Sequence, residues 1–171
     1  MPHIRLKDNA KWGLGVITGN NEKICRKEKT DGCVPIYRGK DIMKNALSEP
    51  TLFIDENLEG CRQVADMDLY KASEKVIYRF ISNKIVCFYD TEQRYILNSA
   101  NLFVLNEGFP VSYSQLVDLL NSDFMNWLFK SIFNTHKILR GDLESLPIFH
   151  EYFKKYEIFS EETLKKYLSI L

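Results

Sequence analysis

Between Glu74 and Leu105 the sequence reads EKVIYRFISNKIVCFYDTEQRYILNSANLFVL. Four runs rich in β-branched and aromatic residues, KVIYRFI, KIVCFYD, RYILN and NLFVL, are separated by polar turns at Ser82-Asn83 and Thr91-Glu92-Gln93. Side chains of this kind suit the pleated, half-buried surface of a sheet, and their spacing predicts an antiparallel meander. Arg79, Lys84, Arg94 and Asn98 interrupt the apolar positions. They either decorate the wet face of a sheet or read a ligand.

The flanking segments fit around that sheet. Val16-Ile17 and Ile24 border Thr18-Gly19-Asn20-Asn21, and because Gly and Asn tolerate positive φ this predicts strand, tight turn, strand. Lys27 to Gly32 is a charged turn, VPIYRGKDI resumes a strand that breaks at Gly39, TLFID is a short strand, and DMDLYKASEK holds a helical turn or two. Gly19 and Gly39 are expected for conformational reasons. Asp41 is expected to cap a short helix, and Ser99 to hold a turn. Ser112, with Gln115 three residues on, has the spacing of a capping box. Leu116, Leu120, Phe124, Trp127 and Leu128 then recur as one apolar stripe, which predicts a single long helix packed on the core. HKILRGDLESLPIF predicts a strand, a turn at Arg140-Gly141-Asp142 and a last strand ending at Pro147. Ser160-Glu161-Glu162 opens a terminal helix with Lys165-Lys166 further along, a charge order suited to the helix dipole. The expected fold class is therefore α+β: a twisted, mostly antiparallel sheet with one long packed helix and short peripheral helices.

With 171 residues, 45% apolar and 13% aromatic, the chain can build a core of one domain. Its formal net charge of zero places any nucleic-acid contact in a local patch, since free-standing DNA binders carry a basic excess. Cys25, Cys33, Cys61 and Cys87 form no C-x-x-C pair, and His3, His136 and His150 are scattered, so neither a zinc site nor a disulfide framework is expected. No signal peptide and no apolar run of ~20 residues is present, which points to a cytoplasmic chain without a membrane segment.

Enzyme motifs are missing. There is no phosphate loop, G-x-G-x-x-G, G-x-S-x-G or H-E-x-x-H, so no catalytic or metal residue is assigned. Asp66, Asp68 and Lys71 could be arranged as a metal-dependent nuclease, but they also suit a solvated helix. Binding features are richer. Arg38, Lys40, Arg62, Arg79, Lys84, Arg94, Lys137 and Arg140, with Asn83, Asn98, Asn101 and Gln93 and interleaved tyrosines, sit at turns and strand ends. Arg and Lys match guanine edges and phosphates, and Asn and Gln match adenine. A sheet with one wet face collects the same residues, and composition alone does not separate the two readings.

Four segments carry a resemblance. GVITGNNEKI is similar to a "G-x-x-T-G-x-N" opening, PIYRGKDI to an "R-G-x-D-I" segment, and the 74–105 stretch to a central sheet ending in "y-x-l-N-S". LVDLLNSDFMNWLFKSIFNTHKILRGDLESLPIF resembles a closing "L-N-S…F" helix and "D-L-x-x-L-P-I" strand. In this order, over residues 12–149, the chain resembles the TaqI-like C-terminal specificity domain, the target recognition domain of N6-adenine DNA methyltransferases of type II restriction-modification systems, including fused restriction-and-modification enzymes. The resemblance implies a double-stranded DNA-reading module without catalysis of its own. Methyl transfer, with S-adenosylmethionine and possible Mg, would belong to a methyltransferase domain, fused or separate, carrying an Asn-Pro-Pro-Tyr type motif that this sequence lacks. The chain is then either an excised C-terminal fragment or a separate specificity polypeptide of a prokaryotic cytoplasm. Residues 150–171 lie beyond the resemblance and are expected to be a helical tail that docks on the catalytic part. Implied DNA-binding positions are Arg38, Lys40, Arg79, Ser82, Asn83, Lys84, Arg94, Tyr95, Asn98, His136, Lys137 and Arg140. A type I-like specificity half and a nuclease remain the alternatives.

Overall fold

In the computed structural model, which describes residues 1–169, the strand-forming runs of the central stretch do not stay neighbours. The strands are β1 (Ala10–Leu14), β2 (Cys33–Tyr37), β3 (Ile42–Met43), β4 (Ala46–Leu47), β5 (Phe53–Asp55), β6 (Lys75–Arg79), β7 (Cys87–Asp90), β8 (Tyr95–Ile96) and β9 (Ala100–Leu105). The helices are α1 (Asn21–Ile24), α2 (Met67–Tyr70), α3 (Tyr113–Leu120), α4 (Asp123–Ile132), α5 (Arg140–Ser145), α6 (His150–Lys155) and α7 (Glu161–Ser169), with a 3₁₀ turn at Gly39–Asp41. The fold is α+β, and every pairing in the main sheet, of order β1-β9-β6-β7, is antiparallel.

The predicted meander is corrected in one place. After β7 the chain leaves the main sheet. β8 pairs parallel to β2 in a second sheet of order β5-β2-β8, and β9 returns to the other side of β6. The reason lies in burial. Period-2 alternation turns Val76, Tyr78, Cys87 and Phe103 to one face, where they join a core with α3 to α7. It turns Ile77, Ala100 and Leu102 to the other face, where they join Tyr70, Ile36, Ile54 and Ile96 beneath the second sheet. A sheet covered on both sides needs near-continuous apolar strands. The run RYILN supplies the second layer, not the first.

The predicted long helix is also corrected. It is two helices, α3 and α4, broken at Asn121-Ser122. The Ser112–Gln115 capping box forms as expected, but Ser122 starts a new helix, its hydroxyl accepting from the Met125 N–H. Asn121 is held elsewhere. Its amide oxygen accepts from the Cys87 N–H at 2.8 Å and its amide nitrogen donates to the Cys87 carbonyl at 2.9 Å. Asn126 does the same at Ile85, accepting at 2.7 Å and donating at 3.3 Å. The two amides thus cover the open edge of β7, which would otherwise present unpaired backbone groups. The break turns α4 so that Met125 and Phe129 face the core, while Trp127, placed by the sequence on the apolar stripe, is 63% exposed.

Two smaller expectations also change. The strand expected at Ile24 is the one-turn helix α1, because the Asn20 side chain accepts from the Lys23 N–H and caps it. The turn and strand expected after Leu139 become α5, and Ile148 pairs only by an isolated bridge to Ile4. The terminal helix forms where expected, with the Ser160 hydroxyl accepting from the Thr163 N–H. Tyr152, Phe153 and Leu164 of the last two helices are buried in the same core as α3 and α4.

Candidate nucleic-acid interface

Three of the quoted motifs meet in one joint. Gly39 donates its N–H to the Ser99 hydroxyl at 2.8 Å, and a Cβ on Gly39 would stand 2.3 Å from the Ser99 carbonyl oxygen. A Cβ on Gly15 would stand 2.2 Å from the carbonyl oxygen of Leu97. The GV of the opening motif, the RGKD turn and the LNS turn are therefore packed backbone to backbone, an approach that only glycine permits. Gly19 lies at φ +85, as its turn position required. Arg38 and Asp41 close the joint. The Asp41 carboxylate accepts from the Arg38 N–H at 2.8 Å and from its guanidinium at 3.0 and 3.1 Å. Burial pushes the Asp41 carboxyl up, but the Arg38 hydrogen bonds and charge outweigh it and hold the group below the usual carboxylate range.

The joint abuts the end of β6. Arg79 Nε donates to the Ile42 carbonyl at 2.7 Å, Phe80 N–H to the Ser99 carbonyl at 2.9 Å, and Ile138 N–H to the Phe80 carbonyl at 2.8 Å. Ser82 N–H donates to the His136 carbonyl at 3.0 Å, and its hydroxyl accepts from the Lys84 N–H at 3.2 Å. Lys137 Nζ lies 5.7 Å from the centre of the Phe80 ring. One end of the main sheet thus gathers the 3₁₀ turn, the β8–β9 turn, the β6–β7 hairpin and the segment after α4. Lys40, Asn83, Lys84, Asn98, His136 and Lys137 are exposed there. Among the described residues none of the six takes part in an ion pair.

The other expected positions are engaged differently. The Arg38 head is bonded within the fold, as above, whereas Arg79 commits its Nε to the Ile42 carbonyl and shows no bond from its terminal nitrogens among the described residues. Arg140 is exposed, with its Nε on Glu144 at 2.8 Å and its guanidinium 5.6 Å from the Trp12 ring centre. Arg94 and Tyr95 lie towards the opposite end of the main sheet. Arg94 binds Asp90 at 2.8 Å and Glu92 at 2.6 Å. The Tyr95 ring is buried, and its hydroxyl donates to the Glu56 carbonyl at 3.0 Å. Together with Tyr37, Lys71, Glu56 and Glu92 they line a cleft of about 300 Å³ in which two cations and two carboxylates balance.

Sequence reasoning passed over Lys44, Lys130 and the exposed Trp127, which stand beside Lys84. The signal was faint: Lys44 follows a strand of two residues, and Trp127 sat on the expected core stripe. The Asp66 carboxylate accepts from the Asp68 N–H at 3.0 Å and caps α2. Among the described residues no group of three or more His, Cys, Asp and Glu side chains is placed to hold a metal ion. None of the described helices is long and apolar enough to cross a membrane.

The α+β platform thus carries cations without ion-pair partners and exposed amides at one end of its sheet, among the described residues. The comparisons with known proteins define the class. Residues 34–148 match the TaqI-like C-terminal specificity domain, and the chain belongs to that family. It is also 48% identical over 44 residues to the type II methyltransferase M.VspI of Vibrio sp. (strain 343). That match covers 26% of this chain and 11% of that protein.

Proposed function

We propose that the chain reads double-stranded DNA for a type II restriction-modification enzyme and positions the site for N6-adenine methylation by a catalytic domain outside these 171 residues. One observation carries the reading: six exposed polar side chains converge at one sheet end on backbone segments bonded to one another, in a chain of the specificity-domain family. Lys40, Lys84 and Lys137 take phosphates and fix register. Asn83, Asn98 and His136 are the base-edge candidates. Arg38, Arg79, Arg94 and Tyr95 act as positioning residues, holding the platform rigid while the partner extrudes its adenine. S-adenosylmethionine, with Mg if the parent enzyme also cuts, belongs to the catalytic part, and so does the transfer step.

The test is selection from a random duplex pool at low salt by the purified chain, repeated with a methyltransferase domain supplied. Enrichment of a short motif supports recognition. A folded chain that enriches nothing in either format overturns it.

A further inference from the structure

The open edge of β7 does more than receive two asparagines. Asn45 N–H donates to the Cys87 carbonyl at 3.0 Å, so the tight turn after β3 is tied to the same edge as Asn121 and Asn126. Each tie fixes a neighbour. Lys44 precedes Asn45, Lys84 precedes Ile85, Trp127 follows Asn126, and Lys130 stands one helical turn further along. These residues, with Asp123 and Asn126, line a cleft of about 380 Å³ on the outer side of α4.

Three ammonium groups from three separate segments therefore share a cleft with one carboxylate. The Lys44–Asp123 pair is loose, at 3.6 Å, and both side chains are largely in water, so it neutralises little. The cleft keeps a net positive charge beside an exposed indole. Amines that repel one another and whose backbone segments are tied to one strand edge favour an anion between them, and an indole face suits the apolar side of a sugar.

We propose that this cleft holds a phosphodiester of the DNA backbone, with Lys44, Lys84 and Lys130 around the phosphate and Trp127 against the adjoining deoxyribose. The inference rests on the DNA-reading proposal, because Lys84 belongs to both surfaces and so places the cleft next to the reading end. A backbone contact here is independent of sequence and carries the strand away from the base-reading side chains.

The experiment is a salt series of duplex binding with wild-type protein and the Lys44→Ala/Lys130→Ala double variant, and a tryptophan fluorescence titration with wild type and Trp127→Phe. The expected result is an affinity about tenfold lower for the double variant, a slope of log K against log salt smaller by about one, and an unchanged preference for specific over random duplex. Duplex should quench the wild-type emission, and Trp127→Phe should lose that quench while still binding. A Lys44→Glu/Lys130→Glu variant should lose more affinity than the alanine form, with native circular dichroism. An unchanged salt slope in the double variant, or a quench that survives Trp127→Phe, overturns the cleft alone. A quench equalled by inorganic phosphate at the same phosphate concentration also overturns it, assigning the cleft to free phosphate. No duplex binding by wild type overturns this inference together with the reading on which it rests.

Discussion

The two ends of β6 treat charge in opposite ways. At the Lys75 end, Lys75 and Asp90 are buried and the charged groups are paired with one another. Lys75 Nζ lies 2.6 Å from Asp90 and 2.7 Å from the Tyr70 carbonyl, and Arg94 closes on Asp90 and Glu92. At the Arg79 end, roughly 13 Å away at ~3.3 Å per strand residue, Lys40, Lys84 and Lys137 face water with no carboxylate partner among the described residues. The same residue types therefore do different work. A cation whose charge is already neutralised by carboxylates inside the fold must loosen those contacts before it can take a phosphate at full strength. A cation left in water gives up only solvent and counterions.

The sharpest way to break this contrast is at Asp90. Asp90→Ala leaves the Lys75 ammonium buried with one carbonyl for company. Removing one partner of a buried pair costs about 3–5 kcal/mol, and urea unfolding should show a loss of that size. Lys84→Ala should stay within about 0.5 kcal/mol of wild type. Equal stability of the two variants would mean that the two ends do not differ as described.

Acid should find the same weak point. Burial alone would push the Asp90 carboxyl up, but Lys75 and Arg94 outweigh it and hold the group below its usual range. Asp41 is held low in the same direction by Arg38. A carboxylate depressed in the folded state contributes stability that is present above the unfolded value of about 4 and is lost as pH falls through the folded one. Urea midpoints should therefore be flat from neutral pH to about 5 and drop below about 4. Asp90→Asn should shrink that drop. An equally steep drop in the variant would place the acid sensitivity elsewhere.

Gly39→Ala probes the joint beside the Arg79 end of β6. Its Cβ would meet the Ser99 carbonyl oxygen at 2.3 Å, and backbone there cannot yield as a flexible side chain would. Forced overpacking of this kind costs about 1–3 kcal/mol, and the thermal midpoint should fall accordingly. Gly32→Ala is a control of a different kind: a Cβ there meets nothing within 4 Å, so only its φ of +73 is strained. The joint also shows what the sequence could reveal. RGKD and LNS were legible as motifs because each is a local turn with fixed chemistry, and the capping box at Ser112 was legible for the same reason. The packing of RGKD against LNS was not, because the two turns lie about sixty residues apart and nothing local encodes their contact. RYILN read correctly as a strand, yet the face it covers depends on β2, again remote in sequence. The stripe through Trp127 failed because Asn121 bonds a strand edge 34 residues earlier, and that bond ends the helix. At the Arg79 end the exposed residues could be named from the turns. The split between free and engaged side chains was half local: Asp41, Asp90 and Glu144 lie three or four residues from Arg38, Arg94 and Arg140, while the Ile42 carbonyl that holds Arg79 is remote in sequence.

The smallest expected effect is also the most discriminating one. On the proposed reading, Lys84→Ala removes a phosphate contact and should weaken duplex binding about tenfold, which is about 1.4 kcal/mol, with the salt slope reduced by about one. Arg94→Ala, assayed on the folded fraction, should leave affinity and slope unchanged, because its guanidinium is committed to Asp90 and Glu92. Fluorescence anisotropy with one labelled duplex at several salt concentrations measures both. If Arg94→Ala instead weakens binding while Lys84→Ala does not, DNA lies along the Asp90 end, and the ion pairs there must open to receive it. Affinity would then rise with any change that loosens Arg94 from Asp90. Asp90→Asn would bind more tightly while being less stable, a sign that the free cations at the other end cannot produce.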